Sequence, residues 1–205
     1  MPEITFLEVP FNEKSEAKSR GAKWHAEKRK WFIPEDADKT KFEKWIPEYE
    51  SEFTLRAIAP FYLIVATEIC YKCSNPSKVI TFGAAGCEGE DENESVPVKF
   101  EYIAVLPYRL KNFVETNYPK YYLDWSNTTE SFYYINHCEH CGTVLGDFFM
   151  HHEPDGAFFP QSPEDVKEME VIELKGDGFV KLNAEPSWGI MGFIMECATV
   201  EKYQP

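Results

Sequence analysis

The chain has 205 residues, of which 21 are Lys or Arg and 35 are Asp or Glu, so its formal net charge is −14. Hydrophobic residues make up 43% and aromatic residues 16%, which is enough apolar surface for a folded core and excludes wholesale disorder. No stretch approaches the roughly 18 consecutive apolar residues that a membrane span requires. The first ten residues lack the basic start and apolar run of a secretory signal, so we expect a cytoplasmic protein.

The negative charge is distributed unevenly along the chain. Residues 1–50 contain 10 basic and 11 acidic residues, a net charge of −1, whereas residues 51–205 contain 11 and 24, a net charge of −13. Within the first segment, residues 14–30 carry seven basic and two acidic residues. We therefore predict two domains, a small basic and aromatic auxiliary module over residues 1–50 and an acidic domain over residues 51–205. The acidic surface favours a basic partner over nucleic acid.

The first 50 residues predict a small βαββα module. The segment ITFLEVP has strand character, and a helix, EKSEAKSR, follows it, capped by Asn12 and ended by Gly21. Two short strands, AKW and RKWFIP, flank the turn HAEK and form a hairpin. A second helix begins at Asp38 or Thr40, runs through KFEKWI and ends at Pro47.

The stretch VPFNEKSEAKSRGAKWHAEKRKWFIP resembles a small domain of unknown function that is common in conjugative-plasmid primases and other mobile-element proteins. The shared pattern is a Val-Pro-Phe start, a charged helix, Gly-Ala-x-Trp, a basic turn and Trp-x-x-Pro. It covers about residues 4–47. The resemblance implies an auxiliary binding module in a bacterial or mobile-element setting, and it assigns no catalytic residue.

The basic residues of this module alternate with two tryptophans. In one interpretation the tryptophans stack on the bases of a single strand and the cations contact phosphates or an acidic partner. The predicted contacts are Lys23, Trp24, Lys28, Arg29, Lys30 and Trp31. In the other interpretation the cations form a solvated face, and both tryptophans belong to a core with Phe6, Val9, Ala17, Ile33, Phe42 and Trp45.

Four of the six cysteines form two Cys-x-x-Cys pairs, CYKC and CEHC, which are separated by 64 residues. The tight turn of each pair lets both sulfurs point at one ion, and Gly142 after the second pair suits the positive φ of such a knuckle. Four thiolates coordinate zinc tetrahedrally and leave no position open to a substrate. We predict one structural Zn²⁺ ion in a zinc-ribbon arrangement with a long insertion, bound by Cys70, Cys73, Cys138 and Cys141.

Other roles for these cysteines stay open at the level of sequence. The alternatives are an iron–sulfur or redox site and unpaired structural cysteines, whereas the lack of a secretory signal disfavours disulfides. The sequence assigns no role to Cys87 and Cys197, which lie outside the two pairs. Four histidines are close enough along the chain to replace a cysteine as ligand: His137, His140, His151 and His152.

The remaining sequence predicts a mainly antiparallel β, zinc-ribbon-like domain with a few helices, so the fold class is α+β. Strands are predicted for FYLIVATEI, KVITFGAA, PVKFEYIAVLP, SFYYINHC, TVLGDFFMH and FVKLNA, with an acidic solvated loop over residues 86–95. Helices are predicted for YRLKNFVETNY after Pro107 and from Ser162 to about Glu173, and a turn for residues 176–178. YYLDW and IMGFIMECATV are ambiguous.

Three functions are compatible with these features. The first is a non-enzymatic, zinc-stabilised binding protein whose acidic domain contacts a basic protein, for example a toxin-neutralising immunity protein. The second is an accessory nucleic-acid-binding protein of a mobile element, which contacts single strands through the N-terminal module. The third is an unrecognised metal-dependent hydrolase. The common catalytic motifs are absent from the sequence. A hydrolase would need a second metal site, for which the candidate ligands are Asp147, His151, His152 and Asp155.

Overall fold

The structure is a computed structural model, and it describes residues 5–46, 53–89, 93–94, 96–174 and 179–203. The chain divides into two compact units, Met1–Glu50 and Ser51–Pro205, each with its own buried apolar residues. Helices combined with mostly antiparallel sheets confirm the predicted α+β class. Among the described residues, no helix is both long and apolar enough to cross a membrane.

The N-terminal unit begins with the predicted βαββ arrangement. Its three strands form one antiparallel sheet in which the third strand lies between the first two. The elements are β1 (Phe6–Leu7), α1 (Lys14–Ser19), β2 (Lys23–His25) and β3 (Lys30–Phe32).

The last helix of this unit differs from the prediction. Lys39–Trp45 is a 3-10 helix instead of an α-helix, and the predicted end at Pro47 lies outside the described residues. A 3-10 helix places residues i and i+3 on one face. Phe42 and Trp45 have this spacing and are both buried, so the 3-10 geometry places both rings in the core of the small unit.

The ends of α1 are only partly as predicted. Gly21 has a φ of 102° directly after the helix, as expected of a C-terminal stop. Asn12 does not cap the helix, because it lies inside a short 3-10 turn, Phe11–Glu13, that precedes α1. The core of the unit differs from the predicted set, because Leu7 is buried instead of Phe6 and because Trp24 is exposed. Its buried apolar residues are Leu7, Ala17, Ala22, Ile33, Phe42 and Trp45.

The larger unit contains ten strands and four helices in its described residues. The strands are β4 (Leu55–Ile69), β5 (Pro76–Gly89), β6 (Asn93–Glu94), β7 (Val98–Val105), β8 (Tyr121–Ser126), β9 (Ser131–His137), β10 (Val144–Leu145), β11 (Glu170–Leu174), β12 (Phe179–Ser187) and β13 (Val200–Lys202). The helices are α2 (Tyr108–Asn117), α3 (Asp147–His152), α4 (Pro163–Lys167) and α5 (Ile190–Cys197).

Strand β4 organises the seven-stranded sheet, whose order is β13-β11-β4-β12-β7-β5-β6. It pairs with β5 in a long hairpin, while residues 55–58 pair with β12 and residues 61–65 with β11. Because β12 also pairs with β7, and β7 with β5, the four strands β4, β12, β7 and β5 close into a cycle of antiparallel pairings. The rings of Phe82 and Phe100 stack on Phe61 in the associated core, at 5.4 and 6.2 Å.

The second sheet is formed by β8, β9 and β10, with β9 in the centre. A buried side chain joins it to β5, because Asn136 on β9 bonds both backbone groups of Ile80. The Ile80 N–H donates to Asn136 Oδ1 and Asn136 Nδ2 donates to the Ile80 carbonyl, both at 2.9 Å. The amide of Asn136 thus takes the place of a neighbouring strand at this point of β5.

The chain after the second cysteine pair departs from the predicted strand. Of this segment, only the two residues of β10 pair with a neighbouring strand, and the residues from Asp147 onwards form α3. This helix buries Asp147, Met150 and His151, whose spacing of three and four residues is helical and not alternating. The prediction of a strand through DFFMH is therefore wrong.

Two further predictions need correction. Ser162 caps α4 in a capping box with Asp165, as its pattern indicates, but the helix ends at Lys167 and β11 begins at Glu170. Pairing of this segment with the central strand β4 outweighs continuation of the helix. The ambiguous segment IMGFIMECATV divides into α5 and β13.

The predicted acidic loop is partly a strand. β5 continues to Gly89, and Cys87 and Glu88 pair with β6, whereas residues 90–92 and 95 lie outside the described part. The turn predicted at residues 176–178 lies outside it too. By contrast, α2 follows Pro107 and ends before Pro119, as predicted.

Candidate metal centre and aromatic groove

The two Cys-x-x-Cys pairs lie in the turns of two hairpins. Cys70 and Cys73 join β4 to β5, and Cys138 and Cys141 join β9 to β10. Both turns have the same hydrogen bonds. The N–H of the first cysteine donates to the carbonyl five residues later, at 3.0 and 2.9 Å, and the N–H four residues later donates back to the first cysteine's carbonyl, at 2.8 and 2.9 Å. The pairs are therefore two knuckles of one geometry.

The structure brings the four sulfurs together. All lie within 4.8 Å of one another, with Cys70 Sγ 3.7 Å from Cys141 Sγ and Cys73 Sγ 3.6 Å from Cys138 Sγ. A tetrahedral site with metal–sulfur bonds of about 2.3 Å has sulfur–sulfur edges of about 3.8 Å, whereas a disulfide bond is about 2.05 Å long. The geometry fits a four-thiolate metal site. In the part of the chain that the structure describes, no other group of three or more ligating side chains is this close.

Backbone N–H groups favour the thiolate form that a metal requires. The N–H groups of Cys141 and His140 donate to Cys138 Sγ and lower the pKa of that thiol to about 6. The backbone N–H of Asn75 lowers the pKa of Cys73 in the same way. These N–H groups favour negative charge at Cys73 and Cys138. At Cys141 the N–H of Thr143 acts in the same direction, but burial and the other three sulfurs raise the pKa to about 11.

The second knuckle is also hydrogen-bonded to the first hairpin. The Glu139 N–H donates to Ser77 Oγ at 2.8 Å, and the Lys78 N–H donates to Glu139 Oε2 at 2.9 Å. His140 Nε2 lies 3.0 Å from the Pro76 carbonyl oxygen, so its ring contacts the first hairpin and not the sulfurs. These bonds connect segments more than 60 residues apart at the position where the cysteines meet.

The remaining cysteines and histidines lie outside the sulfur cluster. Cys87 is buried in the sheet core, and Cys197 is half-buried at the end of α5. His137 is buried, and its Nδ1 lies 2.9 Å from the Ile135 carbonyl oxygen. His151 is buried in α3 and His152 is exposed, so one histidine of the pair packs and the other does not.

In the N-terminal unit, an open groove of about 670 Å³ runs between residues 7–11 and the β2–β3 hairpin. The rings of Trp24 and Trp31 meet edge to face at 5.5 Å on its hairpin side, and Trp24 is 52% exposed. On the opposite side Phe11 is 82% exposed, with Lys14 Nζ 3.8 Å from its ring centre. The groove therefore exposes two aromatic rings that contribute nothing to the core.

Four of the six predicted contact residues line this groove. Trp24, Arg29, Lys30 and Trp31 are brought together by the hairpin, with Arg29 in a left-handed conformation at φ 50° in the turn. Lys23 and Lys28 are exposed elsewhere on the unit.

The six groove residues outside the hairpin were not among the predicted contacts, and three of them are aromatic or charged. Phe11 and Lys14 line the groove, because the chain from Pro10 into α1 passes opposite the hairpin, and Glu8 is the acidic residue of the lining. The phenylalanine of the Val-Pro-Phe motif was the one available signal in the sequence. It was not used, because a Phe before a charged helix is ordinarily assigned to the core.

Comparison with known proteins bears on this unit alone. Residues 5–47 match the family model of a domain of unknown function, DUF5710, which confirms the resemblance stated from sequence. The same region is similar to two proteins named DNA primase TraC from Escherichia coli. One is 45% identical over 47 residues, which is 23% of this chain and 4% of the primase. The other is 43% identical over 44 residues, which is 22% of this chain and 3% of the primase.

The similarity is that of one module and not of whole proteins. The chain spans less than a twentieth of the length of these relatives, and the cysteine-bearing unit lies outside the aligned region. No solved structure matches the chain.

Proposed function

We propose that this chain is a zinc-stabilised accessory protein of a mobile element, and that its N-terminal unit binds single-stranded nucleic acid in the aromatic groove. The groove is the observation that carries the proposal. It combines two exposed rings, Phe11 and Trp24, with three cations, Lys14, Arg29 and Lys30. Bases stack on such rings while cations contact the phosphates, in a manner that tolerates any base sequence.

Single strands suit this groove better than a duplex. A base can stack on Trp24 or Phe11 only if one of its faces is free, and the bases of a duplex already stack on one another. The relatives named DNA primase support a nucleic-acid setting for the module. The net charge of residues 1–50 is −1, so the local cations of the groove are not overwhelmed by acidic neighbours in this unit.

The larger unit contributes the zinc site. Four sulfurs at tetrahedral spacing form a closed coordination shell, which indicates a structural ion and not a catalytic one. The ion would join two hairpins that are 64 residues apart in sequence, so its binding energy, on the order of 10 kcal/mol, becomes folding stability. Free thiolates persist in a reducing compartment, so a cytoplasmic location is part of the proposal.

A basic protein partner for the larger unit, including a toxin that the chain would neutralise, rests on the net charge of residues 51–205 alone. The metal-dependent hydrolase lacks its second metal site, because Asp147 and His151 are buried beside the cation of Lys99 and the described residues hold no further ligand cluster. Neither function has a contact that favours it, so nucleic-acid binding is the function that we propose.

The test is a titration of the full chain with a fluorescent oligothymidylate of about 15 nucleotides, long enough to fill a groove of this type. We expect binding that quenches Trp24 fluorescence and weakens as salt rises. Trp24→Ala should weaken binding at least about fivefold, because stacking is worth about 1–3 kcal/mol per base.

Charge reversal provides a matched control. Lys14, Arg29 and Lys30 line the groove, and changing all three to Glu should weaken binding strongly and reduce the slope of log K against log salt by about 0.7 per lost phosphate contact. The same change of net charge at Lys18, Lys23 and Lys28, which are exposed outside the groove, should weaken binding far less. Equal losses in both triple variants, or no binding by the unaltered chain at low salt, would overturn the proposal.

A further inference from the structure

The aromatic groove is lined by one acidic side chain as well as by cations. Glu8 directly follows β1, belongs to the wall formed by residues 7–11 and is exposed to solvent. Its backbone is held in place, because the Glu8 N–H donates to the Trp45 carbonyl at 2.7 Å. A carboxylate repels the phosphates of a nucleic-acid strand, so phosphate contact does not account for its position in this groove.

Two acidic residues that follow Glu8 along the chain are paired with cations, whereas Glu8 is not. Glu13 lies 3.2 Å from Lys44 Nζ, and Glu16 lies 2.7 Å from the same atom and 2.6 Å from Arg20 Nη2. Within the described part of the chain, the Glu8 side chain has neither an ion pair nor a hydrogen bond. Both of its oxygens are therefore available to accept hydrogen bonds from a ligand.

The charges of the groove are divided between its two walls. Arg29 and Lys30 belong to the hairpin wall, and neither forms an ion pair with a described acidic residue. Glu8 belongs to the opposite wall, on which Lys14 follows later and lies over the ring of Phe11. Phosphates and bases extend to different sides of the sugars of a single strand. A strand with its phosphates along the hairpin wall therefore directs its bases towards Glu8.

A carboxylate accepts hydrogen bonds and donates none, so it distinguishes bases by the donors on their pairing edge. Guanine presents two adjacent donors there, N1–H and the 2-amino group, which match the two oxygens of one carboxylate. Cytosine and adenine present an amino group beside an unprotonated ring nitrogen, and thymine presents one N–H between two carbonyl oxygens. These acceptor atoms would face a carboxylate oxygen, so guanine fits best.

We propose that Glu8 makes the groove selective for guanine, by accepting the N1–H and a 2-amino N–H of a guanine base in a single strand. This selectivity rests on the proposed function, because it belongs to the same groove. Trp24 and Phe11 supply stacking surfaces that tolerate every base, and Glu8 adds the preference for one of them. Both hydrogen bonds are made to a charged acceptor and are therefore stronger than bonds between neutral groups.

The charge of Glu8 also acts against other sequences. It repels phosphates whatever the base, whereas the two hydrogen bonds offset this repulsion at guanine alone. Specificity obtained in this way has an attractive and a repulsive component. Removing the carboxylate should consequently strengthen the binding of oligothymidylate and weaken the preference for guanine. A merely structural role of Glu8 would not move these two affinities in opposite directions.

The test compares three fluorescent strands of about 15 nucleotides in titrations of the full chain. One is oligothymidylate, and in the other two every second thymine is replaced by guanine or by hypoxanthine. Hypoxanthine stacks as a purine but lacks the 2-amino group, so it can make only one of the two bonds. Lithium buffer prevents the guanine strands from forming quadruplexes.

We expect the guanine strand to bind at least about threefold more tightly than oligothymidylate. A bidentate contact to a base discriminates by at least about fivefold, and half of the registers of this strand place guanine at Glu8. The hypoxanthine strand should bind at least about twofold more weakly than the guanine strand, because one bond to a charged acceptor is lost.

Glu8→Met keeps the length of the side chain and removes its charge and both acceptors. In this variant oligothymidylate should bind up to about threefold more tightly, and guanine should lose its advantage over hypoxanthine. Glu27→Met is the matched control, because Glu27 is exposed in the hairpin turn and does not line the groove. It should retain the guanine preference of the unaltered chain.

The outcomes separate this proposal from the function on which it rests. If none of the three strands binds, single-strand binding and guanine selectivity are both wrong. If oligothymidylate binds and Trp24→Ala weakens it, but guanine has no advantage over hypoxanthine, single-strand binding is retained and the selectivity is overturned. A guanine preference that persists in Glu8→Met would overturn the role of Glu8.

Discussion

Ser74 and Gly142 occupy the same position in the two knuckles, four residues after the first cysteine, and both have positive φ, 58° and 69°. The left-handed conformation costs a residue with a Cβ about 1–2 kcal/mol. The first knuckle bears this cost at a serine, whereas the second avoids it with glycine. The geometry of the knuckle thus requires a left-handed backbone at this position, but it does not require glycine.

This relationship predicts opposite effects of two substitutions. No atom lies within 4 Å of a Cβ built at Gly142, so the cost of Gly142→Ala is conformational and should lower the free energy of unfolding by about 1 kcal/mol. Ser74→Gly removes the existing strain and should raise it by about 0.5 kcal/mol, after the added entropy of the unfolded chain is subtracted. Urea unfolding with bound zinc measures both. A neutral Gly142→Ala would contradict the equivalence of the knuckles.

The second prediction concerns the cysteines. Cys138→Ser should reduce zinc from about one ion per chain to a trace and unfold the larger unit, because the ion's contribution is comparable to the whole stability of a domain. Cys197→Ser, at a half-buried cysteine outside the cluster, should leave the zinc content unchanged. Elemental analysis and circular dichroism read out both. A folded, zinc-free unaltered chain would exclude the zinc site.

The third prediction concerns the amide that joins the two sheets. Asn136→Leu keeps the size of the side chain but leaves the N–H and carbonyl of Ile80 without their bonds. We expect a loss of about 3 kcal/mol, because each unsatisfied buried group costs about 1–3 kcal/mol. Asn112→Leu, on an exposed face of α2, should change stability by less than about 0.5 kcal/mol. Unaltered hydrogen exchange of the Ile80 amide in Asn136→Leu would show that the two hydrogen bonds between Asn136 and Ile80 contribute nothing.

The fourth prediction concerns the buried ion pair of Lys99 and Glu101 on β7, whose Nζ and Oε1 lie 3.2 Å apart. Lys99→Met leaves Glu101 buried without its cation and should lower the free energy of unfolding at pH 7 by about 3–5 kcal/mol. Adding Glu101→Gln removes the stranded charge, so the double variant should be more stable than Lys99→Met alone. Denaturant unfolding of the two single variants and the double variant forms a complete cycle. Strictly additive effects would mean that the two side chains do not interact.

The knuckles were predictable because their chemistry is local. Two cysteines three residues apart, with a glycine after the second pair, specify a turn and a ligand set without reference to the rest of the chain. The N-terminal hairpin was predictable for the same reason. The set of cations that line the groove could not be predicted in this way. Lys14 reaches the groove from α1, whereas Lys28, in the hairpin itself, does not.

The buried ion pair shows what the sequence does not reveal. In β7, Lys99 and Glu101 alternate with Val98 and Phe100, a pattern that predicts one polar, solvated face. That face is covered by α3, a helix that the strand-like segment DFFMH conceals. Burial of both faces is a tertiary property, and periodicity within one strand cannot report it.

The order of the strands along the chain affects how the protein folds while it is being synthesised. The central strand β4 finds two of its partners, β11 and β12, more than 100 residues later, whereas all four cysteines precede residue 142. On the ribosome the metal site can therefore assemble while one side of β4 is still an open edge. An early ion would hold the β4–β5 hairpin and the β9–β10 hairpin together until the carboxyl-terminal strands emerge, and so shorten the time in which that edge is exposed to other chains.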